Sequence, residues 1–179
     1  MDIQQELLKM HSKKNAVGIA TAIGDDMKKI EELLQIYFAN AERTTLRSSM
    51  VLSHIHDTRP YLIWAYLPQL IRHLRMPEVQ NCVKRVTVRI LQDSEIPEDL
   101  LGEAADICFG YVTNPAEAVA VRCFSMTVCW NICLRVPELM PELKAALEDW
   151  LDHGTAGFKS RGKRILAAIA RYEREKKGG

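Results

Sequence analysis

Four dipeptides recur in this chain at a spacing that constrains its architecture more than any other feature. Leu46-Arg47, Val79-Gln80, Val121-Arg122 and Ser160-Arg161 each open an apolar helical stretch that follows a more acidic one. Their second residues lie 33, 42 and 39 positions apart. A period near 40 residues is that of stacked helical hairpins. A single hairpin is too thin to shield its own apolar side, so each unit depends on the next for burial.

Calling the first helix of each hairpin A and the second B, the apolar periodicity predicts A helices over 25–39, 59–75, 97–112 and 137–152. B helices are expected over 41–57, 78–92, 116–135 and 157–176. Two shorter segments, 2–11 and 15–23, precede them as cap helices, so that residues 1–24 close the stack and residues 25–176 form it. One domain over 1–179 is the expectation. Prolines agree with this frame. Pro60, Pro97 and Pro137 open A helices and Pro77 opens a B helix, where a missing N–H costs nothing. Pro141 lies close to a helix start, and Pro68 should kink or split its segment. The most strand-like run, 86–90, continues Val79 and Val83 at helical spacing, so it reads as helix.

The third B segment is apolar nearly all round, with Val121, Phe124, Val128 and Ile132 on one stripe and Met126, Cys129, Trp130 and Cys133 beside it. Thr127, Asn131 and Arg135 leave one narrow polar line. Such a helix must be covered on most sides. Tyr61, Trp64 and Tyr66 make an aromatic group near Arg59, and packing of A against B is its expected role.

Candidate chemistry is sparse. His54 and His56 are two apart on a helix and so do not face one another, and with Asp57 they lack a metal-ligand spacing. Five cysteines without a Cys-x-x-Cys pair read as buried small hydrophobes. Lys159 to Arg164 follows two glycines, but neither a preceding strand nor a phosphate-loop spacing accompanies it. No catalytic residue, metal or cofactor is expected. No apolar run reaches the roughly 20 residues of a membrane span, and the polar start lacks a signal-peptide core. A cytoplasmic location is the default expectation.

The A and B patterns together resemble HEAT-like repeats of the armadillo-like α-solenoid class. The carrying residues are Pro141, Leu143, Leu147, Leu151 and Asp152, then Ser160-Arg161, Ile165, Leu166 and Ile169. The preceding unit repeats them with Pro97, Leu101, Ala105 and Phe109, then Val121-Arg122, Phe124, Val128 and Ile132. The resemblance implies an all-α, right-handed α-α superhelix of about four hairpins plus N-terminal helices. The stretch from Pro137 to Arg164 is similar, more narrowly, to small bacterial HEAT-like proteins, some of which carry the label adenylosuccinate lyase. Such lyases are far longer and use a serine-rich loop with a Met-Pro-x-Lys core. Leu139-Met140-Pro141-Glu142 is instead a helix start, so lyase activity is not expected.

Charge is segregated by row. The B helices, with the tail after the last of them, carry 15 Lys and Arg against 6 Asp and Glu, and the A segments, with the third counted from Asp93, sum to −9. HEAT-like stacks usually turn B helices to the concave surface, so the resemblance implies a basic inner face. Its expected binding residues are Lys84, Arg85, Arg89, Arg122, Arg161, Lys163 and Arg164. The expected function is a non-enzymatic scaffold holding a protein partner, with acidic segments attracted to that face. The alternative is nucleic-acid binding, resembling the HEAT-like DNA glycosylases. That family implies an acidic catalytic residue in a basic groove, and no carboxylate stands beside Trp130, the one tryptophan of the B row. The competing expectation is structural: Arg122 and Arg161 pair with acidic residues of adjacent turns, and the basic last helix is a solvated end.

Overall fold

A computed structural model describes residues 1–177, with helices, turns and no strand among them. Residues 178–179, the end of the expected domain, lie outside the described residues. Three short helices come first: α1 (Ile3–Lys9), α2 (Lys13–Ile23) and α3 (Met27–Phe38). Each starts where a side chain satisfies N–H groups that a first turn leaves open. Asp2 accepts from the Gln5 N–H at 3.0 Å, Ser12 from the Asn15 N–H at 3.1 Å, and Asp26 from the Lys28 N–H at 3.1 Å. Gly24 ends α2 at φ 57°, a left-handed turn that a glycine makes without strain.

The first hairpin pairs α3 with α4 (Glu42–Thr58). The expected A segment over 59–75 is divided into α5 (Tyr61–Trp64) and α6 (Leu67–His73), with Pro68 in the first turn of the latter. Proline lacks the N–H that would continue a helix from α5, so the chain splits there. The next B helix, α7 (Asn81–Gln92), starts later than expected. Pro77 does not open it, because Glu78 follows at φ 56° and a left-handed residue ends helical continuity.

Beyond it come α8 (Leu101–Thr113), α9 (Val119–Arg135), α10 (Met140–Leu151) and α11 (Ala156–Lys177). Pro97 and Pro137 do open A segments, each through a single 3-10 turn before the α-helix proper. The 86–90 run is helical throughout. The helix order is the alternation of A and B segments that the spacing predicts.

The described residues divide into two compact units: Met1–Ile90, and a second that begins at Leu91. In the first, the centre is Tyr37, fully buried. Its hydroxyl donates to the Val83 carbonyl at 2.9 Å and lies 2.9 Å from Thr87 Oγ1, so α3 is tied to α7 through the core. Burial pushes the phenol pKa far up, and the group stays a neutral donor. In the second, α9 is covered as its composition requires: Val121, Met126, Val128, Cys129, Ile132 and Cys133 are all buried.

One expectation fails here. Tyr61 and Trp64 are not core residues, being 51% and 52% exposed. The single turn of α5 can turn only one side inward, and Leu62 and Ile63 take it. Tyr61 is left at the surface, its hydroxyl 3.2 Å from Asp25.

Replacing Tyr37 with Phe keeps the ring and removes one buried hydroxyl. Urea unfolding should show a loss of about 1–2 kcal/mol, the usual cost of a buried hydrogen bond whose partners stay behind.

Candidate functional site

The expected binding residues lie on three B helices, and their surroundings differ sharply. Lys84, Arg85 and Arg89 stand on α7 in the first unit. Arg122 on α9 and Arg161, Lys163 and Arg164 on α11 belong to the second. Arg89, Arg122 and Arg161 are already engaged within their own units.

Arg122 departs furthest from expectation, because it is only 7% exposed and belongs to no surface. Its Nε and Nη2 donate to the Val112 carbonyl at 3.1 and 2.8 Å. That carbonyl lies in the last turn of α8, where helix acceptors lack intrahelical partners and the dipole is negative. The guanidinium carbon sits 4.1 Å from the ring centre of Phe158 and 5.3 Å from that of Trp150. A buried cation thus has two aromatic faces and a helix end in place of a carboxylate. Burial lowers its pKa, since desolvation disfavours the charged form. Gly154 explains how the pocket closes. A Cβ there would come 2.5 Å from Phe158 Cδ1, so the turn after α10 has no room for a side chain beside the ring.

Three further arginines of the B row bridge segments about one repeat apart. Arg47 donates to the Leu7 carbonyl at 2.6 Å. Arg89 donates through Nη1 to Ser53 Oγ at 2.6 Å and through Nη2 to Asp57. Arg161 donates to Thr127 Oγ1 at 2.6 Å. The narrow polar line on α9 takes part in the same pattern. Thr127 accepts from α11, Asn131 donates to the Gln92 carbonyl at 2.8 Å, and Arg135 donates to the Ile96 carbonyl and to Glu98. Arg122 and Arg161 therefore do pair structurally, but with a carbonyl and a hydroxyl rather than with acids.

Lys84 is half-buried and engaged within the fold. Arg85, Lys163 and Arg164 are exposed. Arg85 stands apart because it borders two grooves of the first unit. One, of about 670 Å³, lies at the turns preceding α4 and α7, where Asn40 and Glu78 both take left-handed backbone (φ 55° and 56°). The other, of about 190 Å³, reaches α2 and brings in Lys13, Ser53, His54 and Asp57. Reasoning from the B row missed Lys13, since it precedes the repeats. His54 and Asp57 carried too little signal alone, because their relevant neighbours come from other helices.

The cysteines behave as core. Burial raises the Cys108 thiol to about 12 and the Cys133 thiol to about 11, with the Glu142 charge adding to the second. Among the described residues no three His, Cys, Asp or Glu side chains are grouped to hold a metal ion. No helix of the described residues is long and apolar enough to cross a membrane.

A family model described as a HEAT repeat domain matches residues 3–169, nearly the whole chain, so the protein belongs to the HEAT repeat family. No curated protein and no solved structure matches it. The all-α fold of stacked helical hairpins is thus shown both by the family and by the helices themselves.

Two outcomes follow from this geometry. Arg122→Ala should destabilise the protein by about 2–4 kcal/mol in urea unfolding, because it opens a void between Phe158 and Trp150 and strands the Val112 carbonyl. Arg122→Lys should recover only part of that, since an ammonium cannot stack between two rings as a planar guanidinium does. In native protein a thiol reagent should modify Cys82 rapidly, the other four cysteines being buried and reacting only on unfolding.

Proposed function

We propose that this HEAT repeat protein is a non-enzymatic scaffold that holds a protein partner, and that an acidic stretch of the partner lies along the B-row face of the first unit. HEAT repeat domains commonly mediate protein–protein interaction, which supports the general reading. The observation that carries the specific one is the state of Arg85. It is exposed and, among the described residues, makes no ion pair or hydrogen bond, although it borders two grooves. The neighbouring B-row arginines are spent on structure, so Arg85 is the cation of that helix that a partner can reach without breaking the fold. Unpaired charge beside concave surface steers and orients an oppositely charged partner more than it adds affinity.

A nucleic-acid backbone is the second reading, supported by a different surface. Lys163, Arg164, Arg174 and Lys177 are exposed on α11, and Arg174 and Lys177 border a groove with Ala167, Ala170 and Glu173, the last paired with Lys144. Rows of cations over small residues suit phosphates, and such binding weakens steeply with salt.

Affinity capture with wild type and Arg85→Glu, followed by quantitative mass spectrometry, separates these readings. A specific protein should be recovered by wild type and fall about tenfold or more with Arg85→Glu, while Lys163→Glu/Arg164→Glu leaves it unchanged. Equal recovery by wild type and Arg85→Glu sinks the protein-partner site. Gel shifts on mixed nucleic acid at about 50 and 200 mM salt test the alternative, and no shift at the lower salt ends it.

A further inference from the structure

The smaller groove beside Arg85 has the composition of a receptor for one particular anion. Three helices of the first unit build it: α2 supplies Lys13, α4 supplies Ser53, His54 and Asp57, and α7 supplies Arg85. Arg89 stands behind it, holding Ser53 Oγ at 2.6 Å and Asp57 Oδ1. The one carboxylate of the groove is therefore neutralised by an arginine that is not itself part of the lining.

Lys13 and Arg85 have no such compensation. Among the described residues neither makes an ion pair or a side-chain hydrogen bond, and no side-chain hydrogen bond holds the His54 ring. Ser53 accepts from Arg89, which leaves its own hydroxyl proton to be donated into the groove. Two uncompensated cations from different helices, a hydroxyl donor and an imidazole thus line one groove with a surplus of positive charge. Bringing like charges together in a partly enclosed site is unfavourable until an anion offsets it.

The space is about 190 Å³, the volume of roughly six water molecules. That is smaller than the roughly 300–1,000 Å³ of pockets that enclose a whole small-molecule ligand, so the groove suits one charged group on a larger chain. A carboxylate could be satisfied by Arg85 alone through its paired N–H groups, and Lys13 would stay unmatched. A phosphomonoester carries about −1.5 to −2 charge and three terminal oxygens, enough for both cations and the hydroxyl together.

We propose that this groove binds a phosphorylated side chain of the protein partner, with Arg85 and Lys13 as the charge-matching groups and Ser53 and His54 as further donors. The assignment rests on the scaffold reading above and names the chemistry its partner presents. It also gives a role to His54, which no metal-ligand pattern explained.

Phosphoserine, inorganic phosphate and aspartate are to be titrated into the full chain, with amide shifts followed by NMR. Phosphoserine should saturate shifts around residues 49–57 and 81–89, and aspartate should not. Arg85→Ala and Lys13→Ala should each weaken phosphoserine about tenfold or more with unchanged helical circular dichroism, as expected of substitutions at exposed positions. Absence of saturable phosphoserine shifts, or wild-type binding by both variants, overturns the proposal. Phosphatase treatment of the captured partner distinguishes failure of this inference from failure of the scaffold reading. Release of the partner supports the phosphoryl assignment. A partner that survives phosphatase yet is lost from Arg85→Glu overturns that assignment and leaves the scaffold standing. Phosphoserine binding with no Arg85-dependent partner overturns the scaffold reading and shows a site for free phosphate compounds instead.

Discussion

A helical hairpin is only two helices thick, and the need to cover its open apolar side governs most of what this chain does. Within the first unit Tyr37 reaches from α3 to the backbone of α7, and in the second α9 is buried along most of its circumference. Apolar burial supplies the driving force but no fixed register between layers, because hydrophobic contact is non-directional. The guanidinium and amide bonds of the B row supply direction. Arg47, Arg89, Asn131 and Arg161 each reach a group 32 to 40 residues away, about one repeat, and so fix where one layer meets the next.

This division of labour changes the meaning of the basic row. Counting charges suggests a cationic face, yet a charge that donates to a carbonyl or hydroxyl in its own fold is not offered to a partner. Arg122 is the extreme case: its charge is held inside the second unit by a helix end and two aromatic rings. Arg89 is intermediate, since it neutralises Asp57 and thereby leaves the nearby groove positive. Only after these residues are subtracted does the exposed, unpaired Arg85 become informative.

Aromatic residues show the reverse error. A tyrosine and a tryptophan three apart share one helix face, and aromatic mass usually implies core. Splitting of the segment near Pro68 left α5 as a single turn, and one turn has too little inward surface for four large side chains. Leu62 and Ile63 occupy it, and Tyr61 and Trp64 face solvent. The rule of period held, but the element was too short for the rule to say which face was inward.

Repeat spacing, the all-α class, the alternation of A and B helices and most helix limits were present in the linear chain. Each depends on local periodicity, capping side chains such as Asp26 and breakers such as Pro68. The buried clamp of Arg122 and the grouping of Lys13, Ser53, His54 and Arg85 were not. Those depend on which side chains from separate helices line the same space. A one-dimensional pattern records that a residue is charged and on which row it stands, while only the packed structure determines whether that charge already has a partner.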